Sequence, residues 1–228
     1  MRKLGPPMIL YGNSFSPFVR KVLVYAAERG IALANVQIQR PDMQSEFLRA
    51  SPLRKMPALV DGEFSVADST AIITYLEAKS PEGPLYPAEA AERARVVWFE
   101  EFADTLLSQV VFKAFFNRIV APYFLKQPGD ESIAREGETK DLPPLLDYLE
   151  TAVPERGGWL VGGRLSVADI AVATMFVNFD HAGIRIDAGR YPRTGAWVGG
   201  MLARPSFAGY VAAERAALAK FAAAAKPP

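Results

Sequence analysis

The sequence predicts an α/β domain of element order β-α-β-α-β-β-α followed by an all-α helical bundle, and three observations predict it. Short apolar runs alternate with segments of helical spacing as far as Lys79. Ser80–Pro87 then holds three prolines and Gly83, the composition of a connection between domains. Beyond it, every patterned segment has the helical period. The predicted division is therefore 1–79 for the α/β domain, 80–87 for the linker and 88–228 for the helical domain.

Each element follows from local chemistry. Met8-Ile9-Leu10-Tyr11 is an apolar strand that breaks into the turn Gly12-Asn13-Ser14. Ser16 is a helix N-cap and Pro17 the first helical residue. Val19, Val22, Leu23, Ala26 and Ala27 recur at helical spacing, and Gly30 is the expected stop. Ile31, Leu33, Val36 and Ile38 predict a second strand over Ile31–Gln39; the intervening helix makes the two strands a parallel pair. Pro41–Ala50 is short and mixed. Ala58-Leu59-Val60 and Phe64-Ser65-Val66 flank Asp61-Gly62, a turn favoured for a type I′ hairpin, and Asp68 or Ser69 opens a helix through Ile72, Ile73, Tyr75 and Leu76. That order is the order of a thioredoxin-like domain. In the helical domain, Ala88 to about Ile119 is one long amphipathic stretch. Residues 137–153 form a helix that Pro143-Pro144 break or restart. Ser166 and Asp169 form a capping box, with Asp in place of Glu, at the start of a helix to about Phe179. Pro192–Ala203 and Ser206–Ala225 complete the bundle.

Composition narrows the function. The 228 residues carry 26 basic and 25 acidic groups, a net charge of +1, so nothing marks a nucleic-acid or anionic membrane partner. There is no cysteine, which removes disulfides, a CxxC redox pair and a cysteine nucleophile. Any sulfur nucleophile arrives with the substrate. With no cysteine and a single histidine, His181, no transition-metal site is expected. No uncharged run is long enough to span a bilayer, and cytoplasmic residence is the expectation.

Several residues have both a local and a chemical reading. Ser16 is an N-cap; it also stands at the positive end of a helix, where unpaired N–H groups favour an anion such as a thiolate. Met56-Pro57 is a strand start, Lys55 a solvated charge, and Asp68-Ser69 a helix cap. Phe112, Phe115, Phe116 and Tyr123 have helical spacing, which suits core or dimer packing.

In combination, Ser16-Pro17-Phe18-Val19-Arg20-Lys21-Val22, Met56-Pro57, Asp68-Ser69 and Gly163-Arg164-Leu165-Ser166-Val167-Ala168-Asp169-Ile170 resemble the cytosolic glutathione S-transferase superfamily over nearly the whole chain. The first motif is most similar to the serine-type classes, nearest to tau and zeta. The resemblance implies that glutathione is the cosubstrate and that Ser16 donates a hydrogen bond to its sulfur. Lowering a thiol pKa of ~8.5 by about two units stabilises the thiolate by roughly 2.7 kcal/mol, within reach of one charge-assisted hydrogen bond and a helix terminus. Asn13 and Ser14, in the same turn, are alternative sulfur contacts; Tyr11 ranks last because a strand-end side chain should pack. Phe18, Lys55, Met56, Pro57, Asp68 and Ser69 form the implied glutathione-binding set. Lys55 reaches the glycyl carboxylate, the backbone of Met56 before a cis Pro57 pairs with the cysteinyl part, and Asp68-Ser69 hold the γ-glutamyl end. Gln44 is a further candidate. Ser166 and Asp169 are structural.

The resemblance also implies a homodimer and a hydrophobic electrophile, whose pocket is built from the long first helix of the helical domain and the C-terminal tail. Part of the Phe112 cluster can line that pocket. Two rivals share the fold: a glutathione-dependent isomerase, dehalogenase or ether-cleaving lyase using the same thiolate, and a non-catalytic ligand carrier or assembly module.

Overall fold

The computed structural model describes residues 7–38, 45–155 and 157–224. Its sheet is built on β1 (Met8–Tyr11), which pairs in parallel with β2 (Leu33–Val36) and antiparallel with β3 (Ala58–Asp61). β4 (Phe64–Ala67) adds antiparallel to β3, giving the order β2-β1-β3-β4 among the described residues. Central β1 and β3 read as continuous apolar runs because both of their faces are covered, whereas edge strand β2 alternates. Tyr11, Ala58 and Val60 point to the face covered by Phe47 of α2 (Ser45–Ala50). Leu10 and Leu59, one residue out of phase, face the other side.

α1 (Pro17–Glu28) and α3 (Ser69–Lys79) pack against each other. Arg29, just past α1, ties their far ends together. Its guanidinium donates to Tyr25 Oη at 2.7 Å and to Glu77 Oε1 at 3.0 Å, and to the carbonyls of Ser80 and Glu82. Burial and the neighbouring Glu77 push the Tyr25 phenol far above its ordinary pKa. The parallel β1–β2 pair and the β3–β4 hairpin appear as the sequence indicates; β2 is shorter, at Leu33–Val36. The hairpin turns at Gly62-Glu63 because Asp61 pairs with Phe64, with positive φ at Gly62 and not at Glu63, so the turn is not the type I′ expected at Asp61-Gly62.

The chain divides into two compact units, residues 1–85 and 86–228. The second is helical. α4 (Ala90–Glu101), a π-helical turn at Phe102–Leu107, α5 (Ser108–Phe115) and a second π-helical segment at Phe116–Phe124 follow without a break. The predicted helix after residue 137 begins earlier, with α6 (Glu131–Glu136), and continues through a π-helical segment, Gly137–Asp141, into α7 (Leu142–Ala152). Pro143-Pro144 do not interrupt the helical run; they stand in the first turn of α7, which restarts as α-helix directly after the wider π turn, as one of the two alternatives expected of them.

α8 (Val167–His181) is buried on all sides from Val167 to Phe179, as a central helix must be, with α4, α5 and α9 (Pro192–Leu202) around it. Its buried start is satisfied by Asp169, which accepts from Leu160 N, Ser166 N and Ser166 Oγ at 2.9 Å each; burial nevertheless pushes its carboxyl pKa up. At its other end His181 Nε2 meets Glu214 Oε2 of α10 (Pro205–Ala224) at 2.8 Å, both side chains buried. The lone histidine therefore links two helices. Among the described residues no helix is long and apolar enough to cross a membrane.

Asp61, at the end of β3, accepts from Tyr75 Oη at 2.7 Å and from Lys79 Nζ, joining the hairpin to α3. The hydrogen bond from Lys79, followed by that from Tyr75, holds its carboxyl below the ordinary aspartate range. A depressed folded-state pKa contributes stability above the unfolded value that is lost as pH falls through the folded one. Asp61→Asn should therefore lower Tm at pH 7, and the gap from the unsubstituted protein should close at low pH, once both chains lack the charge. Thermal unfolding followed by circular dichroism across pH 2–7 checks this.

Candidate functional site

Strand register assembles the site. Tyr11, the last residue of β1, pairs with Ala58, the first of β3, which pairs with Ala67, the last of β4. The three residues form one row at one end of the sheet. The segments just beyond that row, Gly12–Ser16, Met56-Pro57 and Asp68-Ser69, therefore lie side by side although they are far apart in sequence. Asp68 N donates to Pro57 O at 3.3 Å across this edge.

The first segment is held by its own backbone. Gly12 N donates to Val36 O at 3.0 Å, and Asn35 Nδ2 donates to Leu10 O and Gly12 O at 3.0 and 3.1 Å. A Cβ at Gly12 would lie 2.5 Å from Val19 Cγ2, and its φ of +150° suits glycine, so α1 starts directly against this turn. Asn13 Oδ1 accepts from Phe15 N at 3.0 Å and Asn13 O from Ser16 N at 2.9 Å, a local turn that presents Ser16 to α1.

Ser16 is the N-cap: its Oγ accepts from Val19 N at a long 3.5 Å, and its side chain is half-buried. The hydroxyl proton has no acceptor among the described residues and remains available to donate. Ser14 makes no hydrogen bond among them, and the Asn13 amide hydrogens likewise have no acceptor. Tyr11 is excluded: it is buried in the α2-side core, and its hydroxyl donates to Glu46 Oε2 at 2.9 Å. Burial, then the bond to Glu46, raise its pKa, opposite to what a thiol-activating tyrosine needs.

The second segment has an anchor that the sequence analysis missed. Ser51, buried at the end of α2, donates from Oγ to Lys55 O at 2.6 Å and accepts from Lys55 N at 3.0 Å. Arg54, at φ +58°, turns the chain between them. Lys55 itself is exposed, and the Met56-Pro57 peptide is cis. The N–H and C=O of Met56 have no partner among the described residues, an open edge on which an extended peptide can pair.

The third segment combines a cap with a free hydroxyl. Asp68 Oδ1 accepts from Thr70 N and Ala71 N at 2.9 and 3.1 Å, which makes Asp68 the N-cap of α3 and leaves Oδ2 outward. Its φ of +86° is sparsely populated for a non-glycine residue, a strain of about 1–3 kcal/mol of the kind that concentrates at binding sites. Ser69 Oγ is buried with no hydrogen-bond partner, the kind of group that calls for an acceptor from a ligand. Lys21 of α1, fully buried, donates to Thr70 Oγ1 at 3.2 Å beside it. Phe18 is half-buried in the first turn of α1. Gln44 lies outside the described residues.

Two helix N-termini, a cap hydroxyl with a free proton, an unpaired backbone edge and an unpaired buried hydroxyl thus converge on one sheet end. The comparisons agree with that geometry. Residues 10–84 match the glutathione S-transferase N-terminal domain family and residues 114–214 the glutathione S-transferase C-terminal domain family. The chain is 31% identical to glutathione S-transferase theta-3 of Mus musculus over 193 residues, 82% of this chain and 79% of that protein. The chain belongs to the glutathione S-transferase family. A glutathione S-transferase structure from Rhodospirillum rubrum F11 superposes with a TM-score of 0.78 at 28% identity, over 88% of this chain and 90% of that one. A second, from Methylobacterium radiotolerans and in complex with glutathione sulfonate, gives a TM-score of 0.73 at 25% identity, over 90% and 95%.

Membership in the family places the thioredoxin-like order and the helical bundle on firm ground. Asn35 and Ser51 escaped the sequence reading because a polar residue in a strand or at a helix end carries no signal until its partner is known. The buried Lys21 escaped for the same reason, since lysine is normally exposed. Ser51→Ala should free the Lys55 and Met56 backbone: amide exchange of Lys55 is expected to accelerate about tenfold, the equivalent of one hydrogen bond of ~1.4 kcal/mol, as hydrogen exchange read by NMR would show.

Proposed function

We infer that this chain is a glutathione transferase of the serine type, in which Ser16 stabilises the thiolate of bound glutathione. The observation that carries the reading is the Ser16 hydroxyl, which caps α1 while keeping its own proton for donation. A sulfur anion placed there receives that hydrogen bond and the field of the α1 N-terminus. The thiol proton passes to solvent and the thiolate attacks an electrophilic carbon, forming the C–S bond from a sulfur lone pair. A leaving group departs to solvent with its bonding electrons or, at an activated alkene, the π pair moves to the neighbouring carbon and takes a proton from solvent. Positioning of the two reactants contributes the remainder of the acceleration.

The other segments account for the rest of the tripeptide. Met56 offers its backbone to the cysteinyl residue, Ser69 and the start of α3 take the γ-glutamyl carboxylate, Asp68 Oδ2 faces the γ-glutamyl ammonium, and Lys55 extends toward the glycyl carboxylate. Phe18 and Pro57 shape the surface between them. In this proposal the α/β domain at about 1–79 binds glutathione, the segment 80–87 links it to the helical domain at about 88–228, and that domain receives a hydrophobic electrophile. The working form is a cytoplasmic homodimer. The relative in mouse carries a theta name, whereas the wording of Ser16–Val22 is nearer to tau and zeta; a serine hydroxyl at the α1 N-terminus is the feature on which the proposal rests.

Difference ultraviolet absorbance of the bound thiolate against pH tests it. The titration should lie about two units below free glutathione, and Ser16→Ala should return it most of the way and lower kcat by about 10²–10³-fold near neutral pH. A thiolate that persists in Ser16→Ala moves the role to Asn13 or Ser14. Ser69→Ala should instead raise KM for glutathione by about tenfold while leaving kcat at saturation nearly unchanged, since it removes a contact made equally in ground and transition states.

A further inference from the structure

Asn35 stands in edge strand β2, opposite Leu10 of β1, although asparagine is among the residues that strands disfavour. It is half-buried on the same side of β2 as Leu33, between the exposed Ala34 and Val36. A primary amide has two hydrogens, and Asn35 uses both: Nδ2 donates to Leu10 O at 3.0 Å and to Gly12 O at 3.1 Å. A serine or threonine could serve one of those carbonyls, and an ionised aspartate neither. Gly12 is thereby held through both of its peptide groups, its N–H by Val36 O at 3.0 Å and its carbonyl by Asn35. Peptide planarity carries the constraint one residue further: with Gly12 O turned to β2, the Asn13 N–H of the same plane points the opposite way. Two local bonds complete the path to the cap of α1, from Phe15 N to Asn13 Oδ1 at 3.0 Å and from Ser16 N to Asn13 O at 2.9 Å.

We propose, on the reading of Ser16 as the thiolate donor given above, that Asn35 is a positioning residue for that hydroxyl: it fixes the backbone plane from which the turn starts, and so the place of Ser16 Oγ at the sheet end. A reacting group has to be held within about 0.5 Å of its productive place, by neighbours that are themselves locked. Asn35 does this from β2, with a side chain committed to backbone carbonyls. Met56 and Ser69 come from the start of β3 and the start of α3, which Asn35 does not hold. Activation of the sulfur and binding of the rest of the tripeptide therefore separate: loss of the Asn35 amide loosens the sulfur contact and leaves the other contacts in place.

Three readouts on the full chain test this, for Asn35→Leu, Ser16→Ala and the double variant: ultraviolet titration of the bound thiolate, calorimetric titration with S-methylglutathione, and single-turnover alkylation of bound glutathione by iodoacetamide, which releases iodide. The chain has no cysteine to compete for the reagent. Asn35→Leu keeps a side chain of similar size and removes both donors. The pKa of the bound thiol should rise by about one unit and alkylation at pH 6.5 should slow about fivefold. Affinity for S-methylglutathione, which keeps the tripeptide but has no ionisable sulfur, should change less than about twofold. In the Ser16→Ala background Asn35→Leu should slow alkylation less than about twofold further, because the group it positions is gone. Should Asn35→Leu fail to fold by circular dichroism, Asn35→Asp, of the same shape and without donors when ionised, is read in its place. A thiolate that responds to Ser16→Ala and ignores the Asn35 variant overturns the proposal alone; one that ignores Ser16→Ala overturns the reading of Ser16 and the proposal with it. Loss of S-methylglutathione affinity in step with the thiolate, or an equal slowing in both backgrounds, makes Asn35 a general support of the fold and also overturns it.

Discussion

Antiparallel pairing of β1 with β3 is the constraint on which the candidate site depends. The register that sets Tyr11 opposite Ala58 and Ala58 opposite Ala67 puts a strand end, a strand start and a second strand end in one row. A slip of one residue would turn Tyr11 and Ala58 out of the core they share with Phe47, so burial enforces the register. The geometry of the candidate site is a by-product of core packing. The turn after β1, the cis Met56-Pro57 step and the cap of α3 are neighbours because three strands share an apolar face.

Polar groups then sharpen what the sheet has gathered. Asn35 fixes the turn through two backbone carbonyls, Ser51 fixes the loop through Lys55, and Asp68 fixes the start of α3. Each anchor satisfies backbone groups that would otherwise be loose, and each leaves a different group unpaired: the Ser16 proton, the Met56 backbone, Ser69 Oγ. Anchored backbone beside unpaired donors and acceptors is the pattern of a preorganised binding surface. The helical unit follows a separate logic. There α8 is enclosed on all sides, Asp169 caps its start and His181 at its end is hydrogen-bonded to Glu214, and aromatic side chains such as Tyr123 and Phe124 pack against Phe221 of α10.

The sequence by itself determined the element order of the α/β domain, the parallel β1–β2 pair, the β3–β4 hairpin, the α8 capping box and the family, because these rest on periodicity, turn chemistry and short motifs that act over a few residues; the β1–β3 pairing came only with the fold. It also singled out Ser16, Met56-Pro57 and Asp68-Ser69, since a cap, a proline and an acidic-Ser pair are visible without partners. Tertiary structure alone decided that Tyr11 is turned away to Glu46, that Ser51 and Asn35 are anchors, that Lys21 is buried beside Thr70, and that Pro143-Pro144 continue a helix through a π turn. Those outcomes depend on which distant group a side chain meets, and no local pattern encodes a partner that only the fold brings within hydrogen-bond distance.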